Sequence, residues 1–233
     1  MRLATVIILS ALVLSLNCGL MASDPKPVQV IDGWGVVFDP DGDSAVRKEG
    51  HTLRIDVPGA YRDLWPVRGK TNAPRVLQLA EGDFIVTAKV SGNVVAEQGT
   101  GISRSGTSSA FRAGTLLIWH DANNFVRLDR GCVARDGKTT FTVYYHVFKD
   151  GNRVTELSRI VKDQPTSLRL ARRGPRVEAA FSQNEGRSWT SFPSQTLDLP
   201  ARVKVGVAAL NATTRPFVAE FERLAVSLTS QRK

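Results

Sequence analysis

The stretch TLLIWHDANNFVRLD, residues 115–129, brings together side chains of the kinds that hold sugars. Leu116 and Ile118 are aliphatic, as are Val126 and Leu128. Setting these pairs opposite each other gives a hairpin with its turn at His120–Asn124. The other face then collects Thr115, Trp119, Phe125, Arg127 and Asp129. An aromatic ring stacks on the apolar face of a pyranose, and charged groups make forked hydrogen bonds to vicinal hydroxyls. The pattern predicts a ligand site there, bordered by Arg75 and Gln78 of APRVLQ and by Asp121 and Asn124 of the turn. It fits equally well a packed layer in which Trp119 and Phe125 are core and Arg127 pairs with Asp129.

A second cluster is DPDGDS, with Asp39, Asp41 and Asp43 on alternate residues. An EF-hand loop continues with Gly at position 6 and Glu at position 12. Ser44 and Gly50 stand there instead, so the EF-hand reading fails and a polar turn remains, with a weakly held hard cation such as calcium as a minor alternative. His51, His120 and His146 have no metal-ligand spacing, and no Ser-His-Asp arrangement accompanies them. Glycosidases on sandwich folds need two carboxyl groups about 5–9 Å apart. Asp129 and Glu178 are candidates for one groove, but Arg127 and Arg176 lie two residues from each, which favours ion pairs over an acid with a raised pKa. SQNEGRSW, residues 182–189, follows the Asp-box pattern of sialidases with Asn184 in place of Asp, and reads as a structural turn over Trp189. Asn211 begins a glycosylation sequon, relevant only in a glycosylating host.

The elements that must position these residues are strands. TLRIDV, DFIVTAKV, RVKVGVAAL and PFVAEFERLAV all alternate with period two, the mark of half-buried antiparallel strands. Turn signals such as PDGD, VPGA, AEGD, KDGN, RRGP and NEGRS separate them. No stretch carries a sustained helical period. Residues 94–109, rich in Gly, Ser and Thr, read as a long loop at one edge. The expectation is a single domain over residues 23–233, a β-sandwich or jelly roll.

Residues 1–22 read as a secretory signal peptide: Arg2, an apolar run, then small residues with Leu20 and Ala22 near the cleavage point. Asn17 before Cys18 disfavours a lipoprotein. Cys132 is then the sole remaining cysteine, so core burial alone must hold the fold. The chain of 233 residues carries a formal charge of +9, and Arg2 is the only charge in its first 22 residues. A basic exported protein meets anionic polysaccharide, cell wall or lipid surfaces. Nucleic acid is a weaker expectation, because no basic run or recognition helix is present.

Several runs in order resemble a family: DPDGDS, LRIDVPGAYRDLWP, NAPRVLQLAEGDFIVTAKV, FRAGTLLIWHDANNFVRLDR, SLRLARRGPRVEAAFSQNEGRSW and KVGVAALNATTRPFVAEFERL. They are similar to domain of unknown function 1349, a concanavalin A-like jelly-roll family. Its relatives include regulation-of-enolase-like proteins and the C-terminal modules of some β-xylosidases. The resemblance implies an all-β sandwich of two antiparallel sheets with carbohydrate association, and supplies no catalytic residues. The reading is an exported, non-catalytic carbohydrate-binding or accessory module. A sandwich glycoside hydrolase and an envelope protein-interaction domain are the alternatives.

Overall fold

A computed structural model describes residues 28–102 and 109–229; the expected export segment, Cys18 included, lies outside the described residues. In chain order the strands are β1 (Val30–Ile31), β2 (Gly35–Phe38), β3 (Ala45–Glu49), β4 (Thr52–Val57), β5 (Leu64–Trp65), β6 (Lys70–Thr71), β7 (Arg75–Glu81), β8 (Phe84–Val90) and β9 (Ala110–Trp119). They continue as β10 (Phe125–Arg135), β11 (Lys138–Lys149), β12 (Asn152–Ile160), β13 (Thr166–Arg173), β14 (Arg176–Ser182), β15 (Thr190–Ser191), β16 (Gln195–Thr196), β17 (Arg202–Asn211) and β18 (Phe217–Leu228). The first sheet runs β1-β2-β7-β17-β9-β10-β11-β12. The second runs β15-β14-β13-β8-β18-β4-β3, with β16 also on β14. Every pairing within them is antiparallel, which gives the all-β, concanavalin A-like sandwich expected from the alternating sequence.

Alternation decides which residues enter the space between the sheets. In β4 every second residue is buried, Leu53, Ile55 and Val57; in β8 the same holds for Phe84, Val86, Ala88 and Val90. They meet Leu116, Ile118, Val126, Leu128, Val203, Val205 and Val207 of the first sheet in one continuous core. A side chain at Gly114 would place its Cβ 2.7 Å from Val90 and 3.2 Å from Phe221, so the sheets come too close there for any larger residue. Two-residue Asp-Gly turns close the β10–β11 and β11–β12 hairpins. Asp136, Gly137, Asp150 and Gly151 all have positive φ, the backbone that matches strand twist in tight hairpins.

Part of the Gly/Ser/Thr-rich segment does more than line an edge. Val94 and Ala96 are buried in the main core, and the Ala96 amide donates to Cys132 Sγ at 3.3 Å. Near the C-terminus, Arg223 at φ 56 accompanies a register shift between Glu222 and Ala225 that bends β18 along β8.

Candidate functional site

The hairpin forms in the expected register: Trp119 stands opposite Phe125, Ile118 opposite Val126 and Thr115 opposite Asp129. The outward face does collect Thr115, Trp119, Phe125, Arg127 and Asp129, but it is not open to solvent. Trp119 is 6% exposed, Arg127 2%, and Phe125 and Asp129 are fully buried. Trp119 and Phe125 belong to a second, smaller core with Leu64, Leu77, Leu117, Phe148 and Leu210 on the outer side of the first sheet. Trp119 stacks on Phe125 at 4.8 Å and Phe125 on Phe148 at 4.5 Å. Arg75 lays its guanidinium 4.5 Å from the Trp119 ring, and burial lowers its pKa to about 10, still cationic at neutral pH.

The cover is the segment 61–72, a strap made of β5, a 3-10 turn at Pro66–Arg68 and β6. Arg127 fastens it from below. Its Nη1 donates to Asp63 Oδ1 at 2.9 Å and to the Leu64 carbonyl at 2.8 Å, while Nε lies 3.1 Å from Asp129 Oδ2. Asp129 Oδ1 accepts from Thr115 Oγ1 at 2.8 Å. Burial works against the Asp129 charge; Arg127 foremost, with the Thr115 hydroxyl, overcomes it and holds the carboxyl below its usual range. Burial likewise opposes the charge on Arg127, and Asp129 and Asp63 restore it. His146 Nδ1 is 3.3 Å from Arg127 Nε and 3.5 Å from Asp129 Oδ2. The shorter contact is a donation from Arg127, which places the neutral ring's proton on Nε2, facing Glu156 at 3.8 Å. Burial, more than these neighbours, sets the depressed pKa of His146.

The acidic turn clasps the strap from outside. Arg62 pairs with both Asp41 and Asp43, the former at 3.0 Å, and Asn72 donates to Asp41 at 2.7 Å. Asp39 instead accepts from the Ser44 amide at 2.8 Å, closing its own loop. Arg62 thus already neutralises two of the three carboxylates of the turn. Among the described residues no group of three His, Cys, Asp or Glu side chains is placed to hold a metal.

Three border expectations also change. Gln78 has the parity of Val76 and Ala80, whose side chains enter the inter-sheet core, so it faces away from Trp119. Asp121 accepts from the Asn123 and Asn124 amides at 2.7 and 2.8 Å, and Asn124 accepts from the Asp150 amide at 3.0 Å; both residues shape adjoining turns. Asp129 and Glu178 lie on opposite outer faces of the sandwich with the core between them, which removes them as an acid pair. Glu178 has Arg173 as its nearest cation, at 3.9 Å. The Asp-box-like turn is structural: Asn184 Oδ1 accepts from Ser182 Oγ and the Ser188 amide at 2.9 Å each. Asn211 is fully buried, its amide donating to the Pro58 and Arg215 carbonyls, so the folded sequon is closed to glycosylation.

What remains accessible here is carried by the strap. Trp65 is half-buried, its edge against His146 at 5.6 Å and Phe148 at 5.7 Å. Arg153 lies 4.6 Å from the ring and Arg68 5.5 Å, and Arg153 pairs with Glu156 at 2.6 Å. The sequence signal for the strap was YRDLWP. Tyr61, Asp63 and Trp65 alternate like a strand, and Pro66 stops it.

A functionally unknown protein from Saccharomyces cerevisiae has a similar fold, with a TM-score of 0.61 and 10% identity over 84% of this chain and 97% of that one. The GH43 protein BlXynB from Bacillus licheniformis and a mutant of it give TM-scores of 0.53 and 0.56 at 14% identity. In both, 76% of this chain is covered and only 33% of the enzyme chain, so the likeness concerns one module of a longer protein. No curated protein matches the chain. A family model matches residues 43–229, from the acidic turn through the strap to the last strand, and the chain belongs to the family described as Protein of unknown function (DUF1349).

Proposed function

We propose that the protein is an exported, non-catalytic carbohydrate-binding or accessory module, secreted or periplasmic. Its glycan rests on the strapped outer face of the first sheet. The observation that carries this reading is Trp65: a partly exposed indole flanked by Arg68, Arg153 and Glu156, on a strap fixed by buried charges. Ring and forked charges together suit a pyranose. Trp119, Phe125, Arg127, Asp129 and Arg75 form the supporting layer beneath it. The positive charge of the chain favours an anionic polysaccharide over a neutral one, and the absence of a basic run argues against nucleic acid.

The non-catalytic part of the proposal draws on Asp129, a carboxylate held ionised beside Arg127 where a general acid needs a raised pKa. Export draws on Arg2 and the apolar run behind it. No helix among the described residues is long and apolar enough to cross a membrane. The resemblance of the sequence runs to regulation-of-enolase-like proteins and β-xylosidase C-terminal modules supports the accessory role proposed here.

The test is retention on insoluble polysaccharides at low and moderate salt. Trp65→Ala is expected to lose about tenfold in retention, since a stacked ring contributes about 0.5–1.5 kcal/mol beyond its buried area and the apolar area it covers is lost with it. Unchanged retention by Trp65→Ala would remove the strap from the site. Binding that vanishes with salt and ignores sugar identity would replace the glycan reading with a protein-interaction surface.

A further inference from the structure

The outer face of the second sheet holds a hollow of about 410 Å³, within the range of small-molecule sites (about 300–1,000 Å³). Its floor is built from small residues, Ala171 of β13 and Ala180 of β14, beside Ile85 of β8. The segment from β15 to β16 forms one wall with Ser191, Phe192 and Ser194. Arg169 and Arg173, two residues either side of Ala171, point outward on the same strand, and Glu178 lies across from Ala171 on β14.

The arginines differ in what they already hold. Arg173 Nε is 3.9 Å from Glu178, a long and half-exposed ion pair that leaves hydrogen-bonding positions on both groups free. The Arg169 side chain has no acid partner and no hydrogen bond among the described residues. Its guanidinium instead lies over the Trp189 ring at 4.2 Å. Trp189 follows directly on Ser188, whose amide and hydroxyl are held by Asn184 of the preceding turn. An arginine oriented by an indole, with its donors unspent at the mouth of a hollow, is preorganised for a planar carboxylate.

Glu178 narrows the ligand further. A bare inorganic anion would meet its charge without using it. A ligand that also carries hydroxyl groups turns that carboxylate into an acceptor, and Ser191 and Ser194 add two hydroxyls that donate or accept. We propose that this hollow binds the carboxylate of an acidic saccharide, a uronic acid unit, with Arg169 as its principal partner, Arg173 supporting it and Glu178, Ser191 and Ser194 taking the sugar hydroxyls. The saccharide part of this assignment rests on the glycan reading above. The site is separate from the strap, on the opposite side of the sandwich, so the two can fail independently.

The experiment is calorimetric titration of the mature chain with trigalacturonate, its methyl ester and sodium sulfate, repeated on Arg169→Gln, Arg173→Gln and Trp65→Ala. The expected result is binding of trigalacturonate that weakens at least tenfold in Arg169→Gln, weakens less in Arg173→Gln and persists in Trp65→Ala. The ester and sulfate should bind at least tenfold more weakly to the unaltered protein. Equal binding of the ester overturns the carboxylate assignment, and equal binding of sulfate overturns the saccharide assignment. Affinity that depends on Trp65 and ignores both arginines overturns the hollow as a site and leaves the strap reading standing. No binding of trigalacturonate overturns the proposal outright.

Discussion

The two outer faces of the sandwich begin from the same rule and end in opposite conditions. On the first sheet, alternate residues Leu77, Leu117, Phe125 and Phe148 present large apolar groups, and the strap closes over them to make a second core. On the second sheet the corresponding outward positions include Ala171 and Ala180 among Arg169, Arg173 and Glu178, and the face stays hollow. Arginines occur on both faces, but with different duties. Arg127 has Asp63, Asp129 and a backbone carbonyl, all out of water. Arg169 has only a ring. An outward alternation is therefore no guide to exposure until the segment that covers it is known.

The largest effect should come from breaking the fastening of the strap. Arg127→Ala leaves Asp63 and Asp129 without their common cation, and removing one partner of a buried ion pair costs about 3–5 kcal/mol. Urea unfolding should show a loss of that size, and a loss below about 1 kcal/mol would mean the strap is not held by this pair. Trp119→Ala tests the covered face from its apolar side. Truncating a buried Trp costs about 3–5 kcal/mol, and part of the Arg75 contact should recover by collapse, which sets this loss at or below the first. A melting temperature left nearly intact would return Trp119 to the surface and to the ligand.

A smaller effect is expected from acid. The folded pKa of His146 lies below its unfolded value of about 6.5, so the unfolded chain binds the proton first. This contribution is fully present above pH ~6.5 and is lost as pH falls from there towards the folded pKa. Asp129 has the same sign further down, keeping its contribution above its unfolded pKa of about 3.9 and losing it below. The melting temperature should decline from pH 7 to pH 5, and His146→Gln should flatten that decline relative to its own value at pH 7. An equal slope in both proteins would mean that the ring does not titrate with folding. Glu156, Asp129 and Asp63 face this ring or its partner Arg127, with Tyr144 stacked on it, so their substitution would alter the same slope.

Much of the sandwich was legible because period-two alternation is local. Leu53, Ile55, Val57 and the β9–β10 register follow from residues that are neighbours in sequence. The place where the strap docks was not legible for the opposite reason. Asp63 and Arg127 are 64 residues apart, and nothing near either one says that they meet. The packed alternative for Trp119 and Arg127 was visible as an alternative, but its choice depended on that distant contact. Gln78 was misplaced by reading the border from proximity in sequence rather than from parity. The acidic turn read as a polar turn without a partner, because Arg62, which pairs with it, lies on the strap.

The smallest effect sharpens the comparison most. Arg169→Gln should change stability by no more than about 0.5 kcal/mol, the range for surface substitutions that remove no buried contact. The Trp189 stacking that it loses is half-exposed, and contacts of that kind contribute about 0.5–1 kcal/mol, part of which glutamine's stem keeps. Arg127 and Arg169 are then a matched pair, both on central strands, both outward and both beside a tryptophan. Large loss in one with near silence in the other would show that the first guanidinium holds the fold while the second is left free for a ligand. Comparable losses in the two would mean that the second face is also held shut by its charges, and that the hollow is no more accessible than the layer beneath the strap.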